Sequence, residues 1–157
     1  MRVTPLTKFA DSRGWSLNDI YLPVRKNLLD QSPRTTEDPF YKFSDAQINY
    51  SILYPGIIKA WHRHKDQDDY FCVIHGMAQV GVYSEELGLE KFFIGEHAPA
   101  VIHIKAGEWH GLTAVGTKPV GLLYLVTNQY NPRNPDEERA SFESFVPSVE
   151  WWKPENK

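Results

Sequence analysis

The residues best equipped for chemistry lie in one stretch, Trp61–Phe71, reading WHRHKDQDDYF. Two histidines stand two apart, and Asp69 follows before an aromatic run. In a strand, residues two apart share a face, so His62 and His64 project together with Ile58 and Ala60 behind them. If that face lines the inside of a barrel, two imidazoles enter an apolar pocket, which is costly unless they are paired or bound to something. A turn through Lys65–Asp68 returns the chain to a strand starting near Asp69, whose inward set is Asp69, Phe71 and Val73. A carboxylate then lies across from the two histidines. Further on, KAGEWHGL places His110 three residues after Gly107, where a tight turn presents it from a third strand. Three histidines and a carboxylate on one inner face suit Zn, Fe, Ni or Mn. The same groups could instead move a proton, or face water.

The other polar residues nearby carry less. Asp66 and Asp68 read as solvated turn residues. His75, His97 and His103 read as structural or surface histidines, the last two showing no partner spacing in GEHAPAVIHI. Tyr124, in VGLLYLVTN, shares a face with Leu122 and Val126, so it is either a core aromatic or a pocket phenol.

The elements that must position these groups are strands. Short apolar or alternating runs recur about every ten residues: INYSILYPG, IIKAWHRH, YFCVIHG, AQVGVYS, KFFIG, AVIHIKAG, WHGLTAVG and VGLLYLVTN. Gly, Pro, Asn or Asp falls between them, which predicts an antiparallel sandwich or barrel. The polar, proline-bearing segment 27–43 reads as a loop or lid. Pro135 opens a candidate short helix over 136–142, with PDEER as its solvated start. Trp151 and Trp152 would be costly in water and are expected to pack on the barrel or on a second subunit.

The chain has 157 residues, 41% of them hydrophobic, enough for one domain with its own core. The expected domain is 1–157, with its core over roughly 45–130 and both ends packing on it. The single cysteine, Cys72, precludes an intrachain disulfide and points to a reducing, cytoplasmic setting. The start, MRVTPLTKFADSRG, is broken by Lys8, Asp11 and Arg13, so no signal-peptide core is read there, and no run reaches membrane-spanning length. A net charge of −3 without a basic stripe argues against nucleic acid as a partner.

Gly56, His62, His64, Asp69 and Gly76 match the spacing of the first motif of the cupin superfamily, with Asp in place of the usual Glu. Gly107 and His110 match part of the second, whose proline and asparagine positions hold Lys105 and Ala114. The chain thus resembles the cupins, which implies an all-β, double-stranded β-helix or jelly roll. Within them it is similar to the dTDP-4-dehydrorhamnose 3,5-epimerase family. FADSRGW (9–15), GIIKAWH (56–62), VIHGMAQVGVY (73–83), IKAGEWHGL (104–112) and LYLVTNQYNPRNPDEER (123–139) carry that likeness in the family's order.

The resemblance implies a sugar-nucleotide epimerase that needs no cofactor, removing a proton α to the carbonyl of a 4-keto-6-deoxy sugar, and a homodimer. By position it makes His62 the base and Tyr124 the acid, with Asp69 as the third catalytic candidate, able to take over the orienting of the base. It makes Arg13, Lys59, His64, His110 and Tyr130 substrate contacts, Arg13 at a nucleotide phosphate. An uncharged imidazole in an apolar pocket suits such a base near neutral pH. The chain departs from the family at the Arg-Gly before the catalytic histidine, here Lys59-Ala60, and at His64 and Asp69, which replace a glutamine and a lysine. The C-terminal aspartate that orients the family's base has no counterpart, and Glu143 is a second stand-in beside Asp69. Two alternatives follow: a metal-dependent enzyme holding an ion on His62, His64, Asp69 and His110, and a non-catalytic sugar-binding cupin.

Overall fold

The computed structural model describes residues 46–128, 131 and 133–153, together with the backbone of 3–5, 8–11 and 14–17. The expected lid over 27–43, Arg13 and Tyr130 lie outside the described residues.

Each of the eight apolar or alternating runs forms a strand. After β1 (Val3–Pro5), β2 (Lys8–Asp11) and β3 (Gly14–Leu17) come β4 (Gln47–Leu53), β5 (Ile58–Arg63), β6 (Asp69–His75) and β7 (Met77–Ser84). They continue with β8 (Gly88–Gly95), β9 (Ala100–Ile104), β10 (Trp109–Ala114), β11 (Val120–Val126) and β12 (Glu138–Arg139). Two antiparallel five-stranded sheets result, ordered β1-β9-β6-β11-β4 and β12-β5-β10-β7-β8. This is the jelly roll expected from the sequence. Alternation drives it, since the central strands turn an apolar set inward, and Phe71, Val80, Ile102, Leu112 and Leu122 meet between the sheets. Burying each such side chain contributes roughly 1.5–3 kcal/mol.

The short helix expected over 136–142 does not form. Glu138 and Arg139 instead pair with Arg63 and His62, and the backbone of Ala140 exchanges hydrogen bonds of 3.0 and 3.2 Å with Trp61. β5 would otherwise be a sheet edge with open donors and acceptors, and satisfying them outweighs a weak local helix preference.

Beyond this clasp the chain crosses the outer face of the second sheet and forms the 3-10 turn Val149–Trp152. Trp152 is buried against Trp61, ring centroids 5.0 Å apart, and both indole N–H groups donate to the carbonyl of Phe142. The Trp151 ring stands 6.2 Å from that of Trp61, so Trp151 and Trp152 both pack on the barrel, one of the two arrangements expected. Gly81 on β7 makes the room, because a Cβ there would stand 2.7 Å from the Trp61 ring and 2.8 Å from Trp151.

On the outer face of the first sheet, Asp68 departs from the solvated turn residue expected. It is buried, with its carboxylate 2.9 Å from His103 Nε2 and accepting from the Ala106 N–H. His103 stacks on Tyr70 at 4.4 Å. The pair is separated by 35 residues, so local spacing could not announce it. Asp66 is exposed, in keeping with a turn position. Among the described residues, no helix is long and apolar enough to cross a membrane.

Candidate active site

Strands β5, β6 and β10 bring the four expected groups together. The ligand-capable atoms of His62, His64, Asp69 and His110 all lie within 4.8 Å of one another. β5 and β10 achieve this through a bulge: His110 pairs with His62 and Leu112 with Lys59, so two steps on β10 span three on β5. The bulge corrects the expected face of β5. Lys59, not Ile58 or Ala60, joins His62 and His64 at the cavity, while Trp61 turns outward into the aromatic layer. Gly111 permits it, since a Cβ there would stand 2.3 Å from the Ala60 Cβ. His110 enters from a turn at Gly107, which holds φ at +87°, a conformation natural to glycine.

Two of the imidazoles have fixed tautomers. His110 Nδ1 lies 3.0 Å from the carbonyl of Glu108, and His64 Nδ1 contacts the carbonyl of Asp136. A carbonyl can only accept, so both Nδ1 atoms carry the proton and a neutral ring leaves its lone pair on Nε2. Both Nε2 atoms face the same oxygen, Asp69 Oδ2, at 3.3 Å for His110 and 3.8 Å for His64. The other Asp69 oxygen accepts from Gln67 at 2.6 Å. His110 Nε2 is buried and makes no hydrogen bond. Lone pairs converging on a carboxylate repel unless a positive charge lies between them.

Those separations bear on a metal directly. Ligands about 2.1 Å from a tetrahedral ion stand about 3.4 Å apart. Second, backbone carbonyls holding the far nitrogens are what ligating histidines commonly have. The four residues fit a divalent ion.

His62 lines the same cavity, its ring centroid 4.1 Å from that of His110 and 5.5 Å from that of His64. Burial, then the neighbouring His110 and His64, then Arg139 and Lys59 lower its pKa to about 2. Its imidazole is therefore neutral at any ordinary pH.

The cavity, about 430 Å³, runs between the sheets. Tyr124 opens onto it from β11, and burial, with Asp69 and Glu137 nearby, raises its phenol pKa. Leu53, Phe71, Leu112 and Leu122 form an apolar floor. Glu137, expected in a solvated helix start, lines the cavity instead, paired with Arg139. Its placement follows from the β12–β5 pairing, and no local signal could have found it. Gln47, Asn49 and Ser51 line the wall from β4, and here a signal existed. In QINYSIL the polar and apolar residues alternate, but the polar set faces in and Ile48, Tyr50 and Ile52 face out, exposed.

Of the other expected residues, Lys59 lines the cavity, and Arg13 and Tyr130 lie outside the described residues. Glu143 is exposed and is not among the residues lining the cavity. His75 pairs loosely with Glu96 at 3.4 Å and His97 is exposed, both remote from the cavity.

Residues 39–138 match the family described as polysaccharide biosynthesis C-terminal domain. The chain belongs to that family. Two curated proteins are similar to this member. One is the probable low-salt glycan biosynthesis epimerase Agl13 of Haloferax volcanii, 36% identical over 118 residues, covering 71% of this chain and 76% of that protein. The other is the spore coat polysaccharide biosynthesis protein SpsL of Bacillus subtilis, 35% identical over 157 residues, covering 96% and 94%. Among solved structures, a dTDP sugar isomerase from Desulfovibrio desulfuricans superposes with a TM-score of 0.70 at 20% identity, covering 93% of this chain and 87% of that one. At that identity the likeness is one of fold, and it agrees with the jelly roll expected from the sequence.

Proposed function

We propose that this polysaccharide-biosynthesis family member is a sugar-nucleotide epimerase acting on a 4-keto-6-deoxy sugar. The observation carrying this is that a neutral imidazole, His62, and a protonated phenol, Tyr124, face one cavity of sugar size. The probable glycan biosynthesis epimerase Agl13 and the dTDP sugar isomerase support a sugar substrate.

In the proposed reaction His62 takes the proton from the carbon beside the keto group. The C–H electron pair forms the carbon–carbon double bond of an enolate, and the carbonyl oxygen takes the negative charge. Lys59, on the same wall, offsets that charge. The carbonyl then re-forms, and the electron pair of the enolate double bond takes the Tyr124 O–H proton on the opposite face of the carbon, inverting it. His62 and Tyr124 then exchange protons with water to restore the starting state. Although burial weakens His62 as a base, the growing enolate charge beside it strengthens the base as the proton moves.

The test is solvent exchange. In D2O, a dTDP-linked 4-keto-6-deoxy hexose should gain deuterium next to the carbonyl, and His62→Ala should abolish the gain. Wild-type protein that leaves the sugar unlabelled would sink the proposal, and retained binding without exchange would favour the sugar-binding cupin.

One observation favours a second reading, in which a divalent ion (Zn, Fe, Ni or Mn) is held by His62, His64, Asp69 and His110. It is the convergence of two Nε2 lone pairs on Asp69 Oδ2. When bound, such an ion supplies Lewis acidity toward a carbonyl oxygen. Elemental analysis of untagged protein purified without chelator checks this. Near one ion per chain, lost in His64→Ala, would support it, and none in either protein would refute it.

The proposal takes 1–157 as one cytoplasmic domain that works as a homodimer. Exposed Ile48, Tyr50 and Ile52 on β4 support the association. Sedimentation equilibrium giving a monomer at micromolar concentration would rule it out.

A further inference from the structure

We propose that Asp136 is a positioning residue, which holds His64 in the tautomer and place the site needs. The inference rests on the assignment of His64 to the cavity made above, and goes beyond it by naming what sets that histidine.

His64 follows the last residue of β5; its carbonyl accepts from the Gly107 N–H at 2.6 Å, which holds its backbone but does not set the orientation of the ring. Asp136 meets the ring from the other end of the chain. Its carboxylate accepts from the Lys65 N–H at 2.8 Å and the Asp66 N–H at 2.9 Å, closing the turn between β5 and β6. Its own carbonyl takes the His64 Nδ1 proton. One residue thus ties the turn after His64 and reads the far side of its ring. The cyclic arrangement also explains the order of the clasp: Ala140 pairs with Trp61, Arg139 with His62, Glu138 with Arg63, and Asp136 with His64.

The side chain matters because it anchors the carbonyl. Without the carboxylate, two turn N–H groups lose their partner and residue 136 loses its fixed distance from the imidazole. His64 is then free to place its proton on Nε2, where it blocks the lone pair directed at Asp69. His110 is held independently, through Glu108, and serves as an internal control.

The test reads the rings themselves by nitrogen-15 NMR on the full chain after chelator dialysis. The wild type should show His64 and His110 both protonated on Nδ1. In Asp136→Ala the Nε2–H form of His64 should rise about fivefold, the equivalent of one net hydrogen bond, with His110 unchanged. Asp136→Asn, which keeps one acceptor oxygen, should fall between, and decides the matter if the alanine variant does not fold. Glu138→Ala breaks the Arg63 ion pair in the same clasp and should leave His64 as in the wild type. An unchanged His64 in both Asp136 variants overturns the proposal. So does a joint change of His64 and His110, or an equal change in Glu138→Ala, since either marks general loosening. Because the readout needs no substrate, failure of the epimerase assignment would show in the exchange assay and leave this result standing.

Discussion

His110 Nε2 lies 3.3 Å from Asp69 Oδ2 with no hydrogen bond between them, although both groups are buried. Two electron-rich atoms at that spacing need a shared positive charge. Asp69→Asn keeps the shape and removes the negative partner. Its Zn2+ affinity, measured by competition with a chelating dye, should fall about 10–100-fold relative to wild type, and equal affinities would place the ion elsewhere.

Tyr124 carries a pKa raised above the ordinary 10 by burial first, then by Asp69 and Glu137. A group with a raised folded pKa keeps its proton until pH passes that value, so the acid is intact throughout the neutral range. Epimerisation should show no alkaline decline from this residue below about pH 10. Tyr124→Phe should lower kcat by about 100- to 10,000-fold, with substrate washed-in deuterium lost less than net inversion. A kcat within a few-fold of wild type would leave Tyr124 as a packing residue.

Gly111 faces the bulge that aims Lys59 and His62 into the cavity. Gly111→Ala puts a Cβ 2.3 Å from that of Ala60 and 2.8 Å from the Lys59 carbonyl, so the strands must part. The expected cost is about 1–3 kcal/mol of stability, seen by urea titration, together with loss of most activity. A variant as stable as wild type would mean that the bulge is softer than the packing indicates.

Trp152 is 2% exposed and packs against Trp61, the residue next to His62 in sequence. Trp152→Ala should cost about 3–5 kcal/mol, a large share of a domain's total stability. Thermal unfolding checks it, and a Tm within two degrees of wild type would show that the C-terminal segment does not brace β5.

What the sequence by itself determined was local. The alternating runs specified β4–β11, the His-x-His spacing put two imidazoles on one side of β5, and the turn at Lys65–Asp68 restarted the chain so that Asp69 faced them. Gly107 before His110 told that a third strand would enter from a tight turn. Each follows from a period of two and the preferences of turn residues, which are readable over a few positions.

Tertiary structure decided which residues those strands meet. The β5 bulge, which exchanged Ala60 for Lys59 at the cavity, arises where β10 presses Gly111 against β5. The clasp at 136–140 became strand because β5 offered open backbone groups, and that pairing carried Glu137 into the cavity and Asp136 to His64. The Asp68–His103 pair needed β6 beside β9. All these contacts join residues 35 to 79 positions apart. A local period is blind to them, because closing such long loops is set by how the whole core packs.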